Sequence, residues 1–492
     1  MSENINIKCD EIACLAHGQA VVEARQAVDG ECKILSACAH AEATPGEVFT
    51  GEARYNGKVA FDCLVLTGDK VDCVSATAEF SDKISSPAIV AGMNVILMPE
   101  TVNVEAVADG GAIKLTAVVD TAAIAVTGAE TDCLVDPEPG VYAEKRTVER
   151  CVLKSQQTET VYVTDSIASD KLGEILFVTG RAVINGAEAA DGAIKVTGAL
   201  YSYIVARAED GMINSERVVT PFVKDISAFG ANAGDVAYAF AFVDACSASV
   251  IVGENRTEIS ATLGINAIAV ECKETEVIAD VFCADNEITA ETAQIKCFAA
   301  EPMITVTDAV DGQISLGAER LAADNVLCVT GTYCALSSVM SDDKRVTAEG
   351  LVGGDIVYYN AEKNTSDSIA FRLPFSIPLN VNKLADEIEA TAVVTDVSVR
   401  IRRESVFDIK AEIAFTLRSS ACKTETVVKS VTLGEAIPRP DASVIVHIAK
   451  PGETLWQAAK ALCCSPERVA EQNQCSAPYA GGERLVNFCN KM

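Results

Sequence analysis

The sequence predicts a mainly β protein with three tandem β-sandwich or barrel-like units, followed by a small βααβ module. Three observations lead to this fold class. Apolar residues alternate with small or polar ones over most of the chain. Short landmark segments recur at intervals of about 150 residues. The last 50 residues change from a strand pattern to a helical one.

Alternation with a period of two marks the strands. Val236, Tyr238, Phe240 and Phe242 are separated by single alanines, which is typical of a half-buried strand. Dipeptides that favour hairpin turns, such as Asp191-Gly192, interrupt these stretches. Long helical patterns are scarce before the tail, so each unit is predicted to be a β-sandwich or distorted barrel.

Internal similarity divides the β region into three copies. EILFVTG at Glu174 matches NVLCVTG at Asn325, and KILSACA at Lys33 is a looser match. Each copy then continues with a threonine landmark, a phenylalanine landmark and a late apolar strand. The landmarks are Thr50, Thr197 and Thr347, and then Phe80, Phe222 and Phe375; the late strands begin at Ala122, Asn266 and Glu412.

This period is far longer than that of solenoid repeats, so the copies are predicted to be whole duplicated domains. Their limits are set at residues 1–130 for a divergent first unit, 131–276 for the second and 277–433 for the third. Residues 434–443 carry two prolines without periodicity and are predicted to form a linker.

Composition limits the possible partners and chemistry. The net charge of -30 disfavours binding to nucleic acid or to an anionic membrane. The start of the chain has no basic region followed by an apolar run, so we expect no signal peptide, no transmembrane segment and a cytoplasmic location. The 19 scattered cysteines and three histidines show no paired metal-ligand spacing, so no metal or cofactor is expected. No catalytic motif is found, and we expect the protein not to be an enzyme.

The tail differs from the rest of the chain in charge and in pattern. Residues 443–492 hold five basic and four acidic residues, a net charge of +1, which leaves -31 on the remainder. A strand from Val444 is followed by a helix capped by Thr454 and a second helix opened by Ser465 and Pro466. A closing strand begins at Arg484 and completes a βααβ order.

The repeated pattern resembles the SPOCS family, found in spore-coat proteins of spore-forming Firmicutes. Its segments are represented here by EILFVTG at Glu174, DGAIKVTG at Asp191 and TPFVKDI at Thr220. The resemblance covers about residues 5–430. It lies in the order of segments rather than in invariant side chains, and the N-terminal unit is the weakest match.

The tail, through KPGETLWQAAK at Lys450, resembles a LysM domain over residues 444–490. Such domains bind N-acetylglucosamine-containing glycans or, in some coat proteins, a protein partner. We expect Pro478 and Tyr479 to offer rigid contact area, Trp456 to pack at the rim and His447 to be solvated. The groove that the resemblance implies comprises Gly452, Glu453, Thr454, Leu455, Ala477, Pro478 and Tyr479.

Together, the two resemblances imply a non-enzymatic scaffold or adaptor in spore-coat morphogenesis. Its implied partner is an ATPase of the coat basement layer similar to stage IV sporulation protein A, and its implied place is the forespore surface in the mother cell. The alternative is a cell-wall protein that binds peptidoglycan through N-acetylglucosamine. The sequence leaves open whether the groove binds sugar or protein, whether the source sporulates, and the oligomeric state.

Overall fold

The computed structural model describes residues 3–168, 172–251, 253–317, 320, 322–342, 345–382, 385, 387–403, 405–438, 443–474 and 476–488. The chain is mainly β, as the sequence predicts, and its strands form several small antiparallel sheets. The described part contains two short helices, both in the tail.

The first third of the chain forms two three-stranded sheets. The first strand pairs with the sixth and the sixth with the fifth, giving the order β1-β6-β5, while the three strands between them form the meander β2-β3-β4. The strands are β1 Glu3–Ala27, β2 Lys33–Phe49, β3 Glu52–Thr67, β4 Lys70–Ser85, β5 Val95–Ala108 and β6 Ala112–Asp136.

The second third pairs its strands in the same way. Its first, sixth and fifth strands form the sheet β7-β12-β11, and the intervening strands form the meander β8-β9-β10. The strands are β7 Val141–Ala168, β8 Glu174–Ala190, β9 Ala193–Arg207, β10 Ile213–Ser227, β11 Val236–Ile251 and β12 Arg256–Cys283.

In the last third of the β region the first strand is divided in two. Both halves, β13 and β14, pair with β19, which also pairs with β18, and the strands between them form the meander β15-β16-β17. Pro302, which has no amide hydrogen to donate, lies in the break between the halves. The strands are β13 Asn286–Ala300, β14 Ile304–Ser315, β15 Asn325–Ser341, β16 Val346–Asn360, β17 Thr365–Leu379, β18 Glu387–Arg402 and β19 Val406–Ala436.

The landmark segments fall on corresponding strands with one exception. EILFVTG, NVLCVTG and KILSACA each open the first strand of a meander, and Thr197 and Thr347 both lie on the middle strand. Thr50 instead lies in the turn between β2 and β3, so aligning it with Thr197 was wrong. Thr347 is also offset by two residues, since it comes three residues before Gly350 while Thr197 directly precedes Gly198.

The landmark that does recur in space is a glycine covered by a phenylalanine. In each meander a glycine of the middle strand lies directly opposite the landmark phenylalanine of the next strand, as Gly57–Phe80, Gly198–Phe222 and Gly350–Phe375. A Cβ added at Gly198 would lie 2.5 Å from Phe222 Cζ, because the ring covers the backbone there. Glycine inside a strand marks this kind of close approach.

Replacing Gly198 with alanine is therefore expected to lower the free energy of unfolding by about 1–3 kcal/mol through overpacking. The matched control is Gly186→Ala on the neighbouring strand, where the nearest atom to an added Cβ is Thr197 Oγ1 at 3.3 Å. Urea unfolding of the full chain, followed by circular dichroism, would measure both variants. Equal midpoints for the two would contradict the closed glycine–phenylalanine contact.

The three thirds share two hydrophobic clusters. One joins the meanders and the other joins the long outer strands, so the β region packs as a contiguous body. The predicted limits at residues 130, 276 and 433 fall inside β6, β12 and β19. The first cluster includes Leu35, Leu64, Phe177, Val205, Leu327 and Val357, and the second includes Ile7, Cys133, Val148, Val277, Ile295 and Val427.

The tail forms a two-stranded antiparallel sheet and two helices. The elements are β20 Val444–Ile448, α1 Leu455–Leu462, α2 Pro466–Asn473 and β21 Arg484–Phe488, with β20 paired to β21. Part of the predicted linker, residues 439–442, lies outside the described residues. None of the helices in the described part of the chain is long and apolar enough to cross a membrane.

Candidate functional site

Backbone hydrogen bonds bring the two predicted groove loops of the tail together. The Gly452 amide donates to the Tyr479 carbonyl at 2.8 Å, and the Tyr479 amide donates to the Glu453 carbonyl at 3.0 Å. Gly452 has a φ of 78°, a left-handed conformation that glycine adopts without strain. The loop before α1 and the loop before β21 therefore form one continuous surface.

Glu453 binds its own loop rather than facing outward. Its carboxylate accepts from the Lys450 amide at 2.6 Å and pairs with His447 Nε2 at 2.7 Å. The hydrogen bond from the Lys450 amide, reinforced by His447, holds the pKa of the Glu453 carboxyl below its usual value. His447 is half-buried by this contact, so the expectation that it is solvated was wrong.

Thr454 begins α1 as its N-cap, as the sequence predicts. Its side-chain oxygen accepts from the Gln457 amide at 3.2 Å, and its own amide donates to Gln457 Oε1 at 2.9 Å. This reciprocal capping box satisfies two of the free donors at the helix start. Ser465 caps α2 in the same manner, with Pro466 as the first helical residue.

The seven predicted groove residues differ sharply in exposure. Gly452, Thr454, Ala477 and Pro478 are exposed and Leu455 is half-buried. Tyr479 is only 2% exposed and belongs to the core of the module, so its expected role as a surface contact was wrong. The surface that remains between the loops consists of small side chains.

Trp456 attaches the tail to the β region instead of lying at a free rim. Its ring packs edge-on against Phe282 of β12, with centroids 4.9 Å apart. Its Nε1 donates to Asp280 Oδ2 at 2.8 Å, and Lys460 Nζ reaches the same oxygen at 2.7 Å. Phe282 thereby joins the core of the tail, and Tyr142 packs beside it.

This attachment is expected to depend on pH. Burial raises the pKa of the Asp280 carboxyl, but hydrogen bonds from Lys460 and Trp456 outweigh burial, so the pKa lies below its ordinary value of 3.8. A lowered pKa means that the docked state favours the carboxylate, so docking is stabilised above the ordinary pKa and loses this stability as pH falls through the lowered value.

Trp456 is the only tryptophan of the chain, so its fluorescence reports on docking. We expect blue-shifted emission at neutral pH and a red shift as pH falls below the ordinary carboxyl pKa and through the lowered pKa of Asp280. Asp280→Ala should give the red-shifted emission already at neutral pH. Emission that is the same in wild type and variant would show that Asp280 does not hold the tail.

The outer face of the tail sheet is apolar and exposed. Val446 and Ile448 are 57% and 63% exposed, and Phe488 is 50% exposed. We call this surface the β20–β21 apolar face; it comprises Val444, Val446, Ile448, Val486 and Phe488, with Val444 opposite Phe488 and Val446 opposite Val486. The alternation of VIVHI predicted this strand, but the face turned outward is the valine side rather than the histidine side.

The module presents an apolar sheet face, while polar side chains of its predicted groove are taken up by internal contacts. Two polar side chains of the predicted groove, those of Glu453 and Thr454, are committed to internal hydrogen bonds. The β20–β21 apolar face has hydrophobic contact area to offer to a partner. Among the described residues, no cluster of three or more histidine, cysteine, aspartate or glutamate side chains could hold a metal ion.

The fold and this site define a mainly β chain that carries a small helical module with an exposed apolar sheet face. Comparison of the chain with protein-family models, with curated proteins and with solved structures gave no match in any of the three.

Proposed function

We propose that this protein is a non-enzymatic scaffold or adaptor of spore-coat morphogenesis, which docks through its C-terminal module. Its β region would consist of three SPOCS-type units and its tail would be a LysM domain. The partner would be a coat basement-layer ATPase similar to stage IV sporulation protein A. The chain would act in the mother cell at the forespore surface.

The proposal of three units is supported by strand pairing. Each third places a three-stranded meander between its first strand, which is divided in the last third, and its last two strands, and in each the last strand pairs with the first. The phenylalanine-covered glycine recurs at the same place in all three meanders. Duplication of one unit would explain why the three thirds share both the strand pairing and the glycine covered by a phenylalanine.

The observation that carries the docking function is the arrangement of the tail's two sides. Trp456 and Lys460 hold one side to Asp280 of the β region. The β20–β21 apolar face remains exposed, with Val446 at its centre. An exposed apolar surface on an otherwise charged chain is typical of a protein interaction site.

The alternative is a cell-wall protein that binds N-acetylglucosamine in peptidoglycan. A sugar site needs polar groups that can pair with hydroxyls, together with an accessible aromatic ring. In the described groove the Glu453 and Thr454 side chains already have partners, and Tyr479 and Trp456 are buried. These features favour a protein partner.

We expect the chain to bind chitooligosaccharide with a dissociation constant no tighter than about 1 mM, equivalent to about 4 kcal/mol of binding. Calorimetry on the full chain provides the measurement. Saturable binding in the micromolar range would contradict this expectation and support the wall-binding alternative.

Localisation in a sporulating clostridial cell tests the proposed role. A fluorescent fusion of the full chain is expected to encircle the forespore on the mother-cell side, and removal of residues 443–492 should leave it diffuse. A ring that persists without the tail would refute docking through this module. Fluorescence at the external cell wall would favour the glycan-binding alternative.

A further inference from the structure

Cys14, His17 and Asp120 form a hydrogen-bonded line on the sheet of the first third. Cys14 Sγ lies 3.5 Å from His17 Nε2, and His17 Nδ1 lies 2.9 Å from Asp120 Oδ2. The imidazole thus lies between a thiol and a carboxylate, with one ring nitrogen directed at each. A thiol, a base and a group that orients the base are the parts of an activated cysteine nucleophile.

A β-bulge creates this line. Residues three apart on a regular strand point to opposite faces, so Cys14 and His17 would be separated by the sheet. In β1, however, Cys14 lies opposite Ile124 and Ala16 lies opposite Ala123, so the intervening Leu15 has no partner on β6. The extra residue brings both side chains to the face that carries Asp120, and bulges often re-aim side chains at functional sites.

The surroundings of Cys14 include a nearby cation. The Cys14 amide donates to Glu389 Oε1 at 2.9 Å, and Glu389 pairs with Arg418. Burial raises the pKa of the Cys14 thiol, with Asp120 adding to the rise, while a contact with the Ala16 carbonyl and the charge of Arg418 oppose it. The thiol is therefore the resting form, and reaction requires a base to take its proton.

The hydrogen bond of the Cys14 amide indicates which kind of reaction the thiol can undergo. Acyl transfer builds negative charge on a carbonyl oxygen and needs free amide donors to stabilise it. Here the Cys14 amide already binds Glu389. Thiol–disulfide exchange keeps the charge on sulfur and needs only a deprotonated thiol and an accessible reactant. Cys14 is partly exposed and the His17 side chain is 58% exposed, so a reactant can approach the line from solvent.

We propose that Cys14, His17 and Asp120 form a modification site for low-molecular-weight disulfides. His17 Nε2 takes the Cys14 proton, the sulfur attacks one sulfur of the disulfide, and a mixed disulfide forms as the S–S bond of the reactant breaks. The departing thiolate takes up the proton from His17 and leaves as a thiol. Asp120 accepts from His17 Nδ1 and so keeps Nε2 directed at the thiol.

The test uses dithiodipyridine, a neutral disulfide, on the full native chain, with mass spectrometry to follow each cysteine. Cys463, the one exposed thiol among the described cysteines, serves as the internal reference. His17→Gln is expected to slow modification of Cys14 at least about tenfold, as loss of a general base does, and to leave Cys463 unchanged. Asp120→Asn should slow Cys14 by a smaller factor.

The direction of the effect separates a base from a structural role. If His17 merely packed over Cys14, removing it would uncover the thiol and accelerate its modification. Free imidazole added to His17→Gln is expected to restore part of the lost rate. An unchanged or faster rate at Cys14 in His17→Gln, or a wild-type Cys14 that stays unmodified while Cys463 reacts, would overturn the proposal.

Discussion

Replacing Tyr479 with alanine is expected to lower the free energy of unfolding of the C-terminal module by about 3–5 kcal/mol. Tyr479 is 2% exposed and shares a core with Leu462 and Leu485, both fully buried. The ring also lies in the segment whose backbone closes the loop at Glu453. Its loss would leave a large cavity in a core too small to close around it.

Trp456 fluorescence during urea unfolding measures this change, because the only tryptophan lies in the same core. Tyr479→Phe is the matched control, since it keeps the ring and removes only the hydroxyl, and it should retain most of the stability. A Tyr479→Ala variant as stable as wild type would mean that the ring does not fill the core.

If the proposed partner, a coat basement-layer ATPase, binds the β20–β21 apolar face, Val446→Glu is expected to weaken that binding at least about 100-fold and to leave the module folded. Val446 is 57% exposed at the centre of the β20–β21 apolar face, so a carboxylate there remains in water in the free chain. In a complex it would be buried in an apolar contact, and burying an unpaired charge is costly. Residues at the centre of an interface often carry most of its binding energy.

Val223→Glu controls for the added charge. Val223 lies on β10 and is 59% exposed, close to the exposure of Val446, but it belongs to the β region. Surface plasmon resonance of the full chain and its two variants on immobilised ATPase makes the comparison. Equal loss in both variants would indicate a general effect of charge, and no loss in Val446→Glu would remove the apolar face from the interface.

Local signals in the sequence predicted the elements of the tail. Thr454 and the Ser465–Pro466 pair define helix starts through capping, which depends only on neighbouring residues. Alternation in the β region predicted strands for the same reason. The threonine alignment was wrong at Thr50 because a match as short as Thr-Gly recurs by chance. The glycine beneath a phenylalanine is recognisable only once the strands are paired.

Local sequence patterns could not predict contacts between residues that lie far apart in the sequence. Asp280 and Phe282 lie more than 170 residues from Trp456, and nothing in their local pattern marks them as its partners. The same holds for Asp120 and His17, which the pairing of β1 with β6 brings together. It also holds for the bulge at Leu15, after which the side chains of β1 point to the opposite faces from those a regular strand would give. The alternation in β20 likewise showed that its two faces differ, but not which of the two faces outward.

The most direct measurement is calorimetric titration of the full chain with the basement-layer ATPase and, separately, with chitooligosaccharide. The adaptor account predicts a dissociation constant for the ATPase of about 1 μM or tighter, roughly 8 kcal/mol, and sugar binding no tighter than about 1 mM. No detectable binding to the ATPase, together with micromolar binding of the sugar, would contradict it.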